Sequence, residues 1–323
     1  MTHDGSAVPA RPRPSLTRYA WLSIAAALAT ITLKTVAFLI TGSVGLLSDA
    51  AESVVNLVAA IVALVALRVA ARPADDKHHY GHGKAEYFSA WIEGLMIFVA
   101  AGVILVSAVL RLLHPQPLES VGLGLAITTL ATAINGAVGI LLLRVGRRHR
   151  SITLEADGHH LLTDVWTSAG VIVAVGLVAL TGWIRLDPIV AIVVALNILV
   201  TGSRLVMRST SGLMDQALPQ QDHDLILATL DRFRSDDVQF HALQTRESGR
   251  HRFVSVHVLV PGAWTVQQGH DLLEELEDAV CAALPDAEVH THLEPLEDAR
   301  AYKDAHLGLS IAHEPGSDEP GED

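Results

Sequence analysis

Six apolar stretches, each long enough for the roughly 20 residues that a bilayer demands of a helix, leave this chain few places to fold other than a membrane. They run near Tyr19–Ile40, Val44–Leu67, Tyr87–Leu113, Val121–Leu143, Ile152–Leu180 and Pro188–Val206. Short polar or glycine-bearing joints separate them. Lipid offers no partner to a backbone N–H or C=O, so each stretch must satisfy its own groups as a helix. Residues 15–208 therefore read as a six-helix transmembrane domain. Residues 1–14, with no apolar core of signal-peptide type, read as a disordered tail.

The charge divides the chain in two. The formal net charge is −12, unusual for a membrane protein. Residues 1–208 carry 16 Lys and Arg against 12 Asp and Glu, whereas residues 209–323 carry 7 against 23. The second part is soluble and acidic. It lacks the basic footprint that nucleic acid requires and suits contact with cations. Lys and Arg crowd one set of helix flanks, among them Arg68, Lys77, Lys84, Arg144, Arg147, Arg148, Arg150, Arg204 and Arg208, while Arg111 and Arg185 mark the other. The positive-inside rule then puts both termini in the cytoplasm and the chain in the cytoplasmic (inner) membrane.

Within residues 209–296 the periodicity predicts a helix over Asp222–Phe233, strands over Val238–Arg246 and His251–Val260 joined by ESGR, a helix over Val266–Leu284 and a strand over Ala287–Glu294. The order αββαβ is that of a small ferredoxin-like, metallochaperone-like sandwich. Residues 297–323, ending HEPGSDEPGED, read as a disordered acidic tail. The single cysteine, Cys281, excludes both a disulfide framework and a cysteine zinc site.

Three groups of polar residues carry chemistry. Glu52 and Asn56 lie four apart in the second apolar stretch, and His160 and Asp164 four apart in the fifth. Each pair shares a helix face. Isolated polar residues in a span usually glue helices together, but two such pairs with two acids and an imidazole favour a four-ligand cage for one divalent cation at membrane depth. With His160 neutral the ligand charge is that of two carboxylates, which one M²⁺ balances. Asp49 is either a mouth residue or a helix contact. In the loop ADDKHHYGHGK, Asp75, His78 and His82 have the spacing of metal ligands. In the soluble part His241, His257, His270, His292 and Glu294 fall on elements that would pack together and form a third set. His290 points to the other strand face, and His223 reads as a solvated surface residue. Lys34 and Glu93, charged residues within spans, either pair or snorkel.

With these residues in place, the chain resembles the cation diffusion facilitator family of proton-coupled divalent-metal exporters, and most closely its bacterial zinc and ferrous-iron efflux branch. The motifs that carry the likeness are SVGLLSDAAESVVN, RPADDKHHYGHGKAEYF, HHLLTDVWTS, SGLMDQALP, TRESGRHRFVSVHVLVPG and VHTHLEP, spread from about Leu16 to Glu297. The resemblance implies a homodimer whose protomers each have six spans. It implies a transport site at Glu52, Asn56, His160 and Asp164, a loop site at Asp75, His78 and His82, and a cytoplasmic site at His241, His257, His270, His292 and Glu294. It also implies an interprotomer charge contact between Lys84 and Asp215. Zinc exporters of the family usually carry Asp or His where this chain has Glu52, and Asp where it has Asn56.

The expected activity is secondary active transport rather than catalysis. Zn²⁺ comes first as substrate and as regulatory ligand of the cytoplasmic domain, then Fe²⁺, with Mn²⁺, Cd²⁺ or Co²⁺ as alternatives of the same kind. Metal ligands must be deprotonated, so binding releases protons and protonation ejects metal. His160 and Asp164 are the natural coupling groups. An intramembrane metalloenzyme would need an open metal position and a general base, and no HExxH or nucleophile constellation is present. A sensor without flux would not need ligands in mid-membrane.

Overall fold

The computed structural model describes residues 15–41, 44–114, 122–183 and 185–304. Some side chains within those helices, Asp49 and Glu52 among them, lie outside the description. The chain divides into two units, residues 1–207 and 208–323.

The first unit is helical. It contains α1 (Thr17–Thr41), α2 (Val44–Ala70), α3 (Ala85–Leu113), α4 (Gly122–His149) and α5 (Ile152–Thr181), and most of α6 (Leu186–Leu213). At 25 to 30 residues each, all six are long enough for a bilayer. Among the described residues, α1, α3, α4 and α6 also meet the apolarity expected of a span. Rows of large apolar side chains remain exposed on them, such as Val99, Val103, Val106 and Leu110 on α3, and lipid is the solvent that covers such a face.

Small residues set the approach of α4 to α5. A Cβ on Gly158 would stand 3.0 Å from the carbonyl oxygen of Gly139 and 3.0 Å from the backbone nitrogen of Leu143. The two helices therefore touch backbone to backbone, which membrane helices use where apolar burial provides no driving force. The start of α3 is tied to the start of α5. Buried Glu86 accepts the Ser151 hydroxyl, and its carbonyl accepts the Thr153 hydroxyl at 3.3 Å.

The second unit holds α7 (Gln220–Leu230), β1 (Gln239–Ser248), β2 (His251–Val260), α8 (Val266–Ala283) and β3 (Ala287–Pro295). The αββαβ order is the expected one. The strands lie in the order β1-β2-β3, antiparallel between β1 and β2 and parallel between β2 and β3. Val254, Val256, Val258 and Val260 alternate onto one face of β2 and pack with Ile226, Leu230, Leu276, Val280 and Leu284 of the two helices. The opposite face of the sheet is free of the helix layer and takes His257. Thr265 caps α8 in a reciprocal box with Gln268.

Past β3 the chain stays ordered further than its composition suggests. Residues 297–304, expected to begin the disordered tail, include a 3₁₀ turn at Ala301–Asp304. The Tyr302 hydroxyl donates to the Leu296 carbonyl at 3.0 Å, and Ala301 is buried. The Gly262 N–H donated to Glu297 at 2.9 Å and the Asp298–Arg300 pair add to this hold. The tails at 1–14 and 305–323 lie outside the described residues.

Because the α4–α5 contact is made by backbone atoms that cannot swing away, Gly158→Ala should lower the melting temperature of the detergent-solubilised protein, at a cost of about 1–3 kcal/mol. Gly102→Ala is the control. Nothing lies within 4 Å of a Cβ there, and with alanine's better helix propensity its melting temperature should equal or exceed that of the wild type.

Candidate metal sites

The polar residues of α2 and α5 meet. The Asn56 side-chain amide donates to Asp164 Oδ2, and His160 Nε2 lies 2.9 Å from Asn56 Oδ1. An amide oxygen can only accept, so the histidine donates from Nε2. Its Nδ1 is then a buried acceptor with no partner. All three residues are less than a tenth exposed. In a bundle with little water, such groups are retained where they satisfy one another or bind something. Glu52, the fourth residue expected here, lies on α2, but its side chain is outside the described residues.

A residue of α4 joins the cluster. Asn135 donates to Asp164 Oδ2 at 3.2 Å and is 2% exposed. Sequence reasoning passed over it, although a lone amide in the apolar run ATAINGAVGI carries the same intramembrane-polar signal as Asn56. Asp164 therefore collects two amides from two neighbouring helices. His159 is half-buried, and its backbone carbonyl accepts the Thr163 hydroxyl at 2.9 Å.

The loop between α2 and α3 builds its cluster by a local turn. Asp75 Oδ1 accepts the backbone N–H groups of Lys77 at 2.9 Å and of His78 at 2.8 Å. These bonds, that of Lys77 foremost, hold the carboxyl below its usual range. The same carboxylate meets His78 Nδ1 at 3.2 Å and His82 Nε2 at 3.3 Å. All three residues offer a ligand atom within 4.8 Å of the others.

In the second unit strand register does the assembly. His241 is paired with His257 across the antiparallel ladder, and His257 with His292 across the parallel one. Three imidazoles thus form a row over three strands, on the sheet face away from the helices. Neighbouring ring centroids are 5.1 and 4.9 Å apart. Glu294, two residues beyond His292 on the same face, completes the set. Its Oε2 lies 2.8 Å from His241 Nε2 and 3.2 Å from His257 Nδ1, and its Oε1 lies 3.7 Å from His292 Nε2. A β-bulge follows His241, with Ala242 at a φ of 50°, and bulges of this kind re-aim side chains beside a site. The Tyr302 ring stands 6.2 Å from His241, so the segment after β3 helps to enclose the site.

Other residues stand apart from these clusters. His270 on α8 is mostly exposed, and its ring faces Glu274 at 3.8 Å rather than the row. His290 pairs with Glu288 at 3.1 Å. His223, expected at the surface, is buried with Nε2 3.0 Å from the Thr245 hydroxyl, because the apolar face of α7 carries it onto β1. Asp215 pairs within its own unit with Arg246 at 3.1 Å. Glu93 accepts the Ser89 hydroxyl at 3.2 Å rather than pairing with Lys34.

A family model of the cation efflux transmembrane domain matches residues 20–214, and one of the cation efflux protein cytoplasmic domain matches residues 218–296. The chain belongs to the cation efflux, or cation diffusion facilitator, family. Among its relatives in this family is the uncharacterized transporter sll1263 of Synechocystis, 54% identical over 285 residues, which span 88% of this chain and 92% of the relative. The cation-efflux pump FieF of Klebsiella pneumoniae is 29% identical over 280 residues, or 87% and 93%. Two solved structures are similar to a part of the chain. The zinc form of CzrB is 35% identical, covers 25% of this chain and 93% of that one, and gives a TM-score of 0.24. The metal-bound C-terminal domain of CzcD from Thermotoga maritima is 28% identical, with 25% and 93% covered and a TM-score of 0.23. As a cation efflux protein, the chain is a multi-pass membrane transporter and not an enzyme.

Two expected outcomes follow. His257→Ala should remove one high-affinity zinc from the stoichiometry that calorimetry finds for the full-length protein, whereas His290→Ala, which removes a ring paired with Glu288 away from the row, should leave that count unchanged. In the loop, Asp75→Ala should speed amide exchange at Lys77 and His78 by about tenfold, the value of one lost bond to a charged acceptor. Because the Asp75 carboxyl is held low, the wild-type protection should survive acidification past its ordinary value of 3.8 and fade only below that pH.

Proposed function

We propose that this transporter exports divalent transition-metal cations, Zn²⁺ foremost and Fe²⁺ next, from the cytoplasm in exchange for protons. The observation that carries the reading is the meeting of Asn56, His160 and Asp164 between α2 and α5 within a membrane bundle. Carboxylate, imidazole and amide oxygen are donors a borderline dication accepts, and Glu52, one turn from Asn56, would bring a second carboxylate. The imidazole tips the set toward zinc, while the oxygen-rich remainder suits iron and manganese. Mn²⁺, Cd²⁺ and Co²⁺ are the competing cargoes.

The exchange follows from ligand chemistry. A metal takes His160 and Asp164 only in their deprotonated forms, so loading releases protons and proton uptake discharges metal. Alternating access turns that competition into export when the outside is the more acidic. The cytoplasmic membrane is its place, with both termini and the acidic domain inside, as the distribution of Lys and Arg supports.

The protein works as a homodimer. The second family model, over residues 218–296, covers the αββαβ unit that holds the histidine row. Metal held by His241, His257, His292 and Glu294 acts there as a regulatory ligand, and His270 completes a site shared between two copies. Metal at Asp75, His78 and His82 gathers ions at the entrance. Lys84 and Asp215 make a charge contact between protomers.

Asp164 is the residue on which the transport site turns, since it accepts amides from α2 and α4 and sits one turn from His160. In proteoliposomes with an imposed pH gradient, wild-type protein should carry zinc inward against the proton flux, and Asp164→Ala should fall to the rate of empty liposomes. Zinc flux by the variant at the wild-type rate would end the reading. Competition by Fe²⁺, Mn²⁺, Cd²⁺ and Co²⁺ in the same vesicles ranks the cargoes.

A further inference from the structure

Away from the metal cluster the helical unit buries a second set of acids. Glu93 of α3 and Asp157 of α5 are both 0% exposed, and Ser23 of α1 is 1% exposed. Glu93 stands within electrostatic reach of Asp157, and Ser23 is the polar neighbour of Asp157. Glu93 Oε1 accepts the Ser89 hydroxyl at 3.2 Å. Glu93 Oε2, both carboxylate oxygens of Asp157 and the Ser23 hydroxyl are buried with no hydrogen-bond partner. Asp157 lies three residues before His160 on α5, and neither of its oxygens is hydrogen-bonded to Asn56, His160 or Asp164.

Two bare carboxylates cannot share such a place. An isolated buried carboxylate costs far more than any fold can return, and a second like charge beside it raises that cost. Buried acids survive by pairing with a cation, by collecting donors or by taking a proton. Among the described residues no cation pairs with either acid, and the donors amount to serine hydroxyls. The ionisable groups nearest the pair on α1, α3 and α5 have other partners, and Arg204 of α6 is exposed. On α3, Glu86 accepts the Ser151 hydroxyl. On α5, Asp164 accepts the amides of Asn56 and Asn135, and His160 bonds Asn56. Lys34 on α1 and Glu155 on α5 have interactions of their own. Among the described residues only two neutral hydroxyls, Ser89 beside Glu93 and Ser23 beside Asp157, approach the pair, and neither brings a charge.

We propose that Glu93 and Asp157 form a proton-binding site, a protonated carboxyl pair between α3 and α5 that is separate from the metal ligands. A proton on either carboxyl removes their repulsion, and a second neutralises the pair. The ligand is the proton itself, and its use in transport rests on the proton-exchange reading above.

Infrared spectra of the full-length protein in liposomes at neutral pH test this without recourse to flux. The wild type should show a protonated-carboxyl C=O band that shifts in D₂O. Glu93→Gln and Asp157→Asn should each diminish it, and the double variant should remove it. The near-isosteric single variants keep the test open if the double variant fails to fold. Absence of the band from the wild type, or its persistence at full strength in folded Glu93→Gln and Asp157→Asn, would overturn the proposal. So would loss of the band on adding Na⁺ or Zn²⁺ to an Asp164→Ala background, which would make the pair a metal-cation site. If zinc flux proves indifferent to the pH gradient while the band is present and lost in the variants, the pair stands and the exchange reading falls.

Discussion

A polar side chain in a lipid-facing bundle must find a partner or a purpose, and that requirement organises the helical unit. Asp164 finds the amides of Asn56 and Asn135. Asn56 in turn accepts from His160. The bonds join α2, α4 and α5, so one carboxylate orients three helices toward a common point. The backbone contact of α4 with α5 at Gly139 and Gly158 brings Asn135 close enough to take part. Groups that hold helices together by hydrogen bonds are also metal donors, so a cation that replaces those bonds competes directly with the packing of the bundle. A transport site at this point, as proposed, would couple cargo to helix position without any further device.

The soluble unit solves a different problem by a different route. Its acidic surface is stable because one sheet face is given wholly to apolar packing against α7 and α8. The other face is then free for chemistry. A row of residues across three strands needs only correct register, and the ladders place His241, His257 and His292 side by side. Glu294 follows from the two-residue period of β3. The turn after β3 returns Tyr302 to the neighbourhood of His241, so part of the apparent tail belongs to the site.

Much of this was legible in the chain itself. The pairs in α2 and α5 stand out because a four-residue spacing is a property of one helix face. The αββαβ order was legible because alternation and helical periodicity are local. Asn135 was not singled out, since a solitary amide in a span has the same appearance whether it glues helices or serves a site. His223 looked like a solvated residue because its burial depends on how α7 meets β1. His270 looked like a member of the histidine row because it shares their chemistry, while its position on α8 turns it toward Glu274. Glu93 read as a span charge that pairs with Lys34 or snorkels, Asp157 was not singled out, and nothing local indicates that the two lie near one another.

From its order of residues alone the chain is bound to cross a membrane, to carry an acidic domain after the last crossing, and to place carboxylates and imidazoles at helical and strand spacings. These are consequences of periodicity and transfer free energy, which act within a turn of helix or a step of strand. The folded molecule settles which faces meet. It brings α4 into the metal cluster, leaves His270 outside the row, and sets two acids together without a cation. Such meetings arise from the packing of surfaces far apart in the chain, where the fit of glycines and the cost of an unpaired charge are summed over the whole bundle.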